Sequence, residues 1–279
     1  MFVEVGTRIP VEALLRGIII QSGNDACIVV AESIGGTVEG FVDLMNKRAK
    51  ELGLAQSTFV NPDGLPDPPG QMMSALDLAK LSRHLINDYP QYYHYFSERS
   101  FVWHNITQPN RDLVLDSLPG ADGLKTGHID ASGYGITISA KRGDTRFILV
   151  LNGLRYPQYH NDYFPNIKRS EEAGRVMEMA FREFRSFPLF TTNQVIGQAS
   201  LREGKAPSVP VTAAKPLAVT MQVDSRAGLK SVVATDPGLT APVAQGQKVG
   251  TVTITAPDFP AQTYPVYAAQ AVDRANIFS

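Results

Sequence analysis

Only one of the 279 residues is a cysteine, Cys27, so no disulfide can form within the chain and no cysteine-based zinc site can be assembled. Net charge is almost absent. Lys and Arg number 26 and Asp and Glu 27, which leaves no electrostatic reason to expect nucleic acid as a partner. Long apolar runs are also missing. The best, Leu14 to Ile20, is interrupted by Arg16 and Gly17 and falls far short of the ~18 residues that span a bilayer. Histidine is scarce, and no two of His84, His94, His104, His128 and His160 stand three or four residues apart, so a helix-borne metal site is excluded and no cofactor is expected. Met1-Phe-Val-Glu-Val-Gly6 has neither a basic segment nor an apolar one, so no signal peptide is legible there. What remains is a globular composition, 43% hydrophobic and 19% charged, which rules out a disordered or fibrous chain.

The composition changes near Ser186-Phe-Pro188. All five histidines, Trp103 and Cys27 lie before it, and the rest of the chain is rich in Val, Thr, Ala, Pro and Gly. Two domains follow from this, an α/β (α+β) domain over 1–186 and a small all-β sandwich over 187–279. In the first, Phe41, Leu44, Met45, Ala49 and Leu52 recur at helical spacing from Thr37 to Leu52, with Gly53 as C-cap. Ser74 with Asp77 opens a second helix through Leu85, and Ser170 to Phe184 predicts a third. The aromatic run Tyr89 to Phe96 reads as a packed, partly exposed helix. Tyr134–Ala140 and Phe147–Leu151 are short strands joined by the turn Arg142-Gly-Asp144, with Leu124-Lys-Thr126 in a third strand beside them. The tail predicts strands at 194–201, 217–223, 229–235, 248–255 and 264–268. It carries no histidine and no nucleophile cluster, so a spacer or interaction role is expected there.

Two short motifs carry the chemistry. Ser22-Gly-Asn24 closes an apolar stretch just before a helix that begins near Asp25, and Lys125-Thr-Gly127 is followed by His128. Each alone is ordinary: Ser and Asn cap helices, and Lys-Thr-Gly can simply end a strand. In this order they match two of the three elements of active-site serine acyltransferases, S-x-x-K, S-x-N and K-T-G. A serine hydroxyl needs a base, and a lysine serves when its surroundings lower its proton affinity. An ammonium and a hydroxyl on one strand can bind a substrate carboxylate, and a glycine there lets the substrate backbone approach.

The stretches Pro10-Val-Glu-Ala-Leu-Leu-Arg-Gly17, Gln21-Ser-Gly-Asn-Asp-Ala26, Met45-Asn46, Leu52-Gly-Leu54, Asn61-Pro-Asp-Gly-Leu65, Asp122-Gly-Leu-Lys-Thr-Gly-His128 and Gly133-Tyr134 together resemble the D-alanyl-D-alanine carboxypeptidases, the low-molecular-mass penicillin-binding proteins of bacterial cell walls. The tail is similar to the β-rich C-terminal domain of the same family. The resemblance implies a transpeptidase-like domain of antiparallel sheet and helices. The implied reaction removes the terminal D-Ala from peptidoglycan pentapeptides through a serine acyl-enzyme, without metal, in the bacterial periplasm or at the outer face of the inner membrane, and β-lactams acylate the same serine. It implies catalytic roles for Ser22, Asn24 and Lys125. Lys125, Thr126, Gly127, His128 and Arg155 become the substrate-binding set, Arg155 through Asn152-Gly-Leu-Arg155 alone. Family members that stay on the membrane carry an amphipathic helix after the β domain, and Arg274 to Ser279 is where one would begin.

The departures from the pattern matter as much. No serine in the sequence has a lysine three residues on; the nearest approach, Ser139-Ala-Lys141, has the wrong spacing. In the family, S-x-x-K lies several tens of residues before S-x-N, and only 21 residues precede Ser22 here. The expectation is an N-terminally truncated chain, inactive by itself, whose sheet keeps an uncovered edge. Asp63 stands where the family often has histidine, and Asn61 to Gly64 reads first as a turn. His84, His94 and His104 are expected to be surface or packing residues. Two alternatives stand beside the enzyme: a noncatalytic protein that holds peptidoglycan or a partner, and a β-lactamase relative, which the β-rich tail disfavours.

Overall fold

The computed structural model describes residues 1–276 of the chain, which fall into two compact units, one over Met1–Ala180 and one from Phe181 onward. The composition shift at residue 186 lies slightly past this division. The difference arises because strand Phe184–Phe190 pairs within the second unit.

In the first unit the chain forms α1 (Val11–Gln21), α2 (Asn24–Gly35) and α3 (Val38–Glu51), then the two-residue ladder of β1 (Ser57–Thr58) with β2 (Met72–Met73). Next come α4 (Ala75–Asp88), the short α5 (Pro90–Tyr93) and the hairpin of β3 (Ser100–Trp103) and β4 (Ile106–Pro109). The single turn α6 (Val114–Ser117) leads into β5 (Ala121–Ile129), β6 (Gly133–Arg142) and β7 (Thr145–Leu154), and α7 (Tyr163–Glu183) follows. The apolar stretch before Ser22 is helical, and the aromatic run after Tyr89 is α5 plus a 3-10 turn over His94–Ser97.

Helix ends follow their local chemistry. Thr37 accepts from the Gly40 amide at 3.0 Å and starts α3. At its far end Gly53, at φ 68°, closes a Schellman motif: Leu54 N–H donates to Ala49 O at 2.9 Å and Gly53 N–H to Lys50 O at 3.1 Å. Ser74 caps α4 through the Asp77 amide at 3.2 Å. Asn61 accepts from the Gly64 amide at 2.8 Å, so the 61–64 segment is the turn that its sequence predicts.

β5, β6 and β7 form an antiparallel sheet with β6 in the middle. Ile136, Ile138 and Ala140 of β6 are fully buried, as are Ala173 and Met177 on α7 and Ile20 on α1. α4 packs against β7. Among the described residues β7 has no strand partner but β6, and its residues from Thr145 to Leu151 are only half-buried. β5 forms the opposite edge and carries Lys125-Thr-Gly127.

The second unit is all β. A five-stranded antiparallel sheet has the order β12 (Lys230–Thr235), β13 (Lys248–Ala256), β14 (Phe259–Ala268), β10 (Ser208–Thr212), β9 (Val195–Ser200). A second ladder pairs β8 (Phe184–Phe190) with β11 (Leu217–Gln222). Alternating residues of both, Val209, Val211, Val252, Ile254 and Val266 from the sheet and Val219 and Met221 from the ladder, fill one apolar core. The sequence reading misses β8 and β10, whose prolines, Pro188 and Pro210, argue locally against a strand. The helix expected to start at Arg274 to Ser279 lies partly outside the described residues, and Arg274 itself bridges to Gly204. No helix among the described residues is long and apolar enough to cross a membrane.

Asn46 ties α3 to the chain before the 61–64 turn. Its amide donates to Val42 O at 3.1 Å and Phe59 O at 2.8 Å, and its Oδ1 accepts from the Phe59 amide at 3.0 Å. Asn46→Ala is expected to lower the stability of the first unit by about 1–3 kcal/mol, because it leaves a backbone donor and acceptor unpaired. Urea unfolding followed by the fluorescence of Trp103, the only tryptophan, measures it.

Candidate active site

Ser22 ends α1. Its backbone lies in the left-handed region, φ 54° and ψ 46°, and the next amide, Gly23 N–H, donates to Gly17 O at 3.0 Å. For a residue other than glycine this conformation costs about 1–2 kcal/mol. It turns the chain sharply between two helices, so that α2 starts at Asn24, and it presents the Ser22 hydroxyl in the turn. Gly23 has little room for a side chain, since a Cβ there would lie 3.2 Å from Gly17 O and from Asp25 Oδ1.

Across from this turn lies the edge strand β5. Lys125 donates from Nζ to Ser22 Oγ and to Thr126 O, the latter at 2.9 Å. The two motifs, 103 residues apart in sequence, therefore meet at one hydrogen bond. Lys125 is pushed down to about 8, first by burial and next by the Arg111 guanidinium; Arg169 adds to the effect, while Cys27 and Asp112 oppose it. A lysine in this state is about half neutral at pH 8 and can exchange a proton with a hydroxyl.

The other predicted residues are placed less uniformly. Asn24 is the first residue of α2 and is exposed; among the described residues no hydrogen bond joins it to Ser22 or Lys125. Thr126 is 7% exposed and alternates with Lys125 across the strand. Gly127 faces open space, with nothing within 4 Å of where a Cβ would sit. The His128 ring lies flat on Tyr134, 3.7 Å between centroids and 5° from parallel, with Nδ1 3.6 Å from Asp162 Oδ1. Arg155 is not joined to this group. Its guanidinium donates to Asp130 O at 3.2 Å and Ala131 O at 2.8 Å, which ties down the β5–β6 turn.

Several residues of the site escape the sequence reading. Asp112 is 2% exposed and burial pushes its carboxyl up to about 6; one oxygen accepts from the Val114 amide at 3.1 Å, and the other has no hydrogen-bond partner among the described residues. Arg169 on α7 is equally buried. Cys27 lies within electrostatic reach of both Lys125 and Asp63, and burial pushes its thiol up to about 11, so it is a protonated, unreactive thiol at neutral pH. A legible signal existed for Arg169: it stands at i with Ala173 and Met177 at i+4 and i+8, a charge in an apolar stripe. Arg111 and Asp112 have no such signal. Among the described residues no group of three His, Cys, Asp or Glu side chains could hold a metal.

Comparison with known proteins identifies the family. Residues 1–154 match the family model described as D-alanyl-D-alanine carboxypeptidase, and residues 184–274 match that of the penicillin-binding protein 5 C-terminal domain. The chain belongs to the D-alanyl-D-alanine carboxypeptidase family. It is 32% identical over 281 residues to D-alanyl-D-alanine carboxypeptidase DacD of Escherichia coli strain K12, covering all of this chain and 70% of that protein. It is 37% identical to DacC of the same strain, covering 90% of this chain and 61% of that protein. The crystal structure of penicillin-binding protein 5 from Haemophilus influenzae superposes with a TM-score of 0.86 at 31% identity, covering 98% of this chain and 78% of that one. These are hydrolases, and the family places this chain with the enzymes of bacterial cell walls.

The lysine gives the site a pH signature. Its folded value of about 8 lies below the ordinary 10.5, so the unfolded chain binds the extra proton between these limits. Stability should rise as pH climbs from 8 to 10.5, and below pH 8 the buried ammonium should hold it down by up to about 3 kcal/mol. Lys125→Met should therefore raise the urea midpoint at pH 7 and flatten the rise above pH 8, both read from Trp103 fluorescence.

Proposed function

We propose that this site binds the D-alanyl-D-alanine end of a peptidoglycan stem peptide beside the paired Ser22 and Lys125 side chains. The observation that carries the reading is the Lys125–Ser22 hydrogen bond, which joins the S-x-N turn to the K-T-G edge strand. An extended peptide can lie along the free edge of β5, and the open space beside Gly127 leaves room for its backbone. Lys125 supplies the positive charge for the terminal carboxylate, Thr126 backs it from the buried side of the strand, and His128 on Tyr134 extends that edge. Asn24, exposed at the start of α2, is free to turn its amide toward a bound peptide carbonyl.

The acylated serine is a separate matter. In the reaction that the family performs, the nucleophile comes from S-x-x-K, and these 279 residues contain no such element. The reading is therefore that this chain recognises the peptide and β-lactams of like shape, acting at the outer face of the bacterial inner membrane, but is not itself acylated. The second reading is a noncatalytic protein that holds peptidoglycan or a partner.

Two measurements test these statements. Intact mass spectrometry after incubation with benzylpenicillin should show an unmodified chain, and a stoichiometric adduct would refute the second claim. Titration with a diacetyl-Lys-D-Ala-D-Ala peptide should shift the NMR amide signals of Lys125 to His128, and Ser22→Ala should weaken binding several-fold. Shifts confined to other strands would overturn the first claim.

A further inference from the structure

α7 inserts a cation into the apolar core under the K-T-G strand. Arg169 is 2% exposed. Its Nη1 donates to Gly127 O at 2.9 Å and Gly135 O at 3.2 Å, and its Nη2 donates to Asn166 Oδ1 at 2.7 Å. Gly127 and Gly135 face each other in the β5–β6 ladder, so one guanidinium nitrogen holds both strands at the same rung. The guanidinium also lies 5.7 Å from the centre of the Tyr134 ring, the ring on which His128 rests. All of its hydrogen-bond acceptors are neutral oxygens, and its Nε has no hydrogen-bond partner among the described residues. Burying a cation this way is costly, and a leucine in the Ala173–Met177 stripe would pack more cheaply. The arrangement suits a group retained for the geometry it imposes.

We propose that Arg169 is a positioning residue, which pins the K-T-G strand end at Gly127 and supports the Tyr134–His128 stack so that the edge beside Ser22 and Lys125 keeps its shape. It touches no substrate and acts through the strand. Its charge has a second, separable effect, since Arg169 and Arg111 together oppose a proton on Lys125, while Cys27 and Asp112 favour one. Arg169→Lys keeps the charge and loses the two-carbonyl grip. Arg169→Gln loses both.

The test compares the 279-residue protein with these two variants by NMR. Amide hydrogen exchange at Gly127, His128 and Ile129 should quicken by about tenfold in both variants, while exchange in the buried middle of β6 stays as in the parent. The Lys125 titration should hold in Arg169→Lys and move upward in Arg169→Gln. Affinity for diacetyl-Lys-D-Ala-D-Ala should fall by about tenfold in both. Unchanged exchange at 127–129, or exchange that quickens evenly over the first unit, would overturn the proposal, the latter by showing a merely structural role. Should the Arg169 variants not fold, Asn166→Ala, which only loosens the guanidinium, should give the same pattern at about threefold, and an unchanged Asn166→Ala would overturn it. The affinity measurement rests on the peptide-binding reading above; exchange and titration do not. If the parent protein fails to bind the peptide, that reading falls, and the exchange result alone decides on Arg169.

Discussion

The hydrogen bond from Lys125 to Ser22 is the constraint around which the first unit is arranged. It requires a strand edge on one side and a helix–helix turn on the other, and it requires the lysine to be buried enough to lose part of its proton affinity. Burial of an ammonium is unfavourable by itself. The surroundings act on it in opposite directions: Asp112, held without full pairing, favours the ammonium, while two guanidinium groups oppose it and leave the local charge positive. That is the condition under which a lysine can change protonation near neutral pH.

The remaining architecture serves to hold these two sides. β6 is buried along most of its length and gives β5 a rigid partner. α1 and α2 meet at Ser22 because the chain accepts a left-handed residue there. α7 reaches under the ladder with Arg169. The second unit has an apolar core of its own.

Much of this is legible in the sequence, and the parts that are not have physical reasons. The helices with clean caps, Thr37 and Ser74, and the strand edge with Lys125 can be read from local pattern, because the signals are short-range and unopposed. The two motifs that carry Ser22 and Lys125 can also be read, because two weak motifs in a fixed order carry more information than either alone, but the hydrogen bond that joins them cannot. β8 and β10 are lost to their prolines, which strand pairing overrides. Arg155 is drawn toward the site by its neighbourhood in sequence, yet its guanidinium finds nearer acceptors in the turn carbonyls of Asp130 and Ala131. Asp112 escapes because nothing local distinguishes a charged residue that folding will bury from one that it will leave in water, whereas Arg169 could have been found from its place in the apolar stripe of α7.

The left-handed backbone at Ser22 restricts which hydroxyl amino acid the family's turn can use in this chain. Threonine offers the same oxygen and the same donor and acceptor capacity, but its branched Cβ crowds the following carbonyl in that region of backbone space. Serine alone combines the hydroxyl with a side chain small enough for φ 54°. The choice of nucleotide at one codon is thus narrowed by the angle at which a helix stops, before any question of chemistry arises.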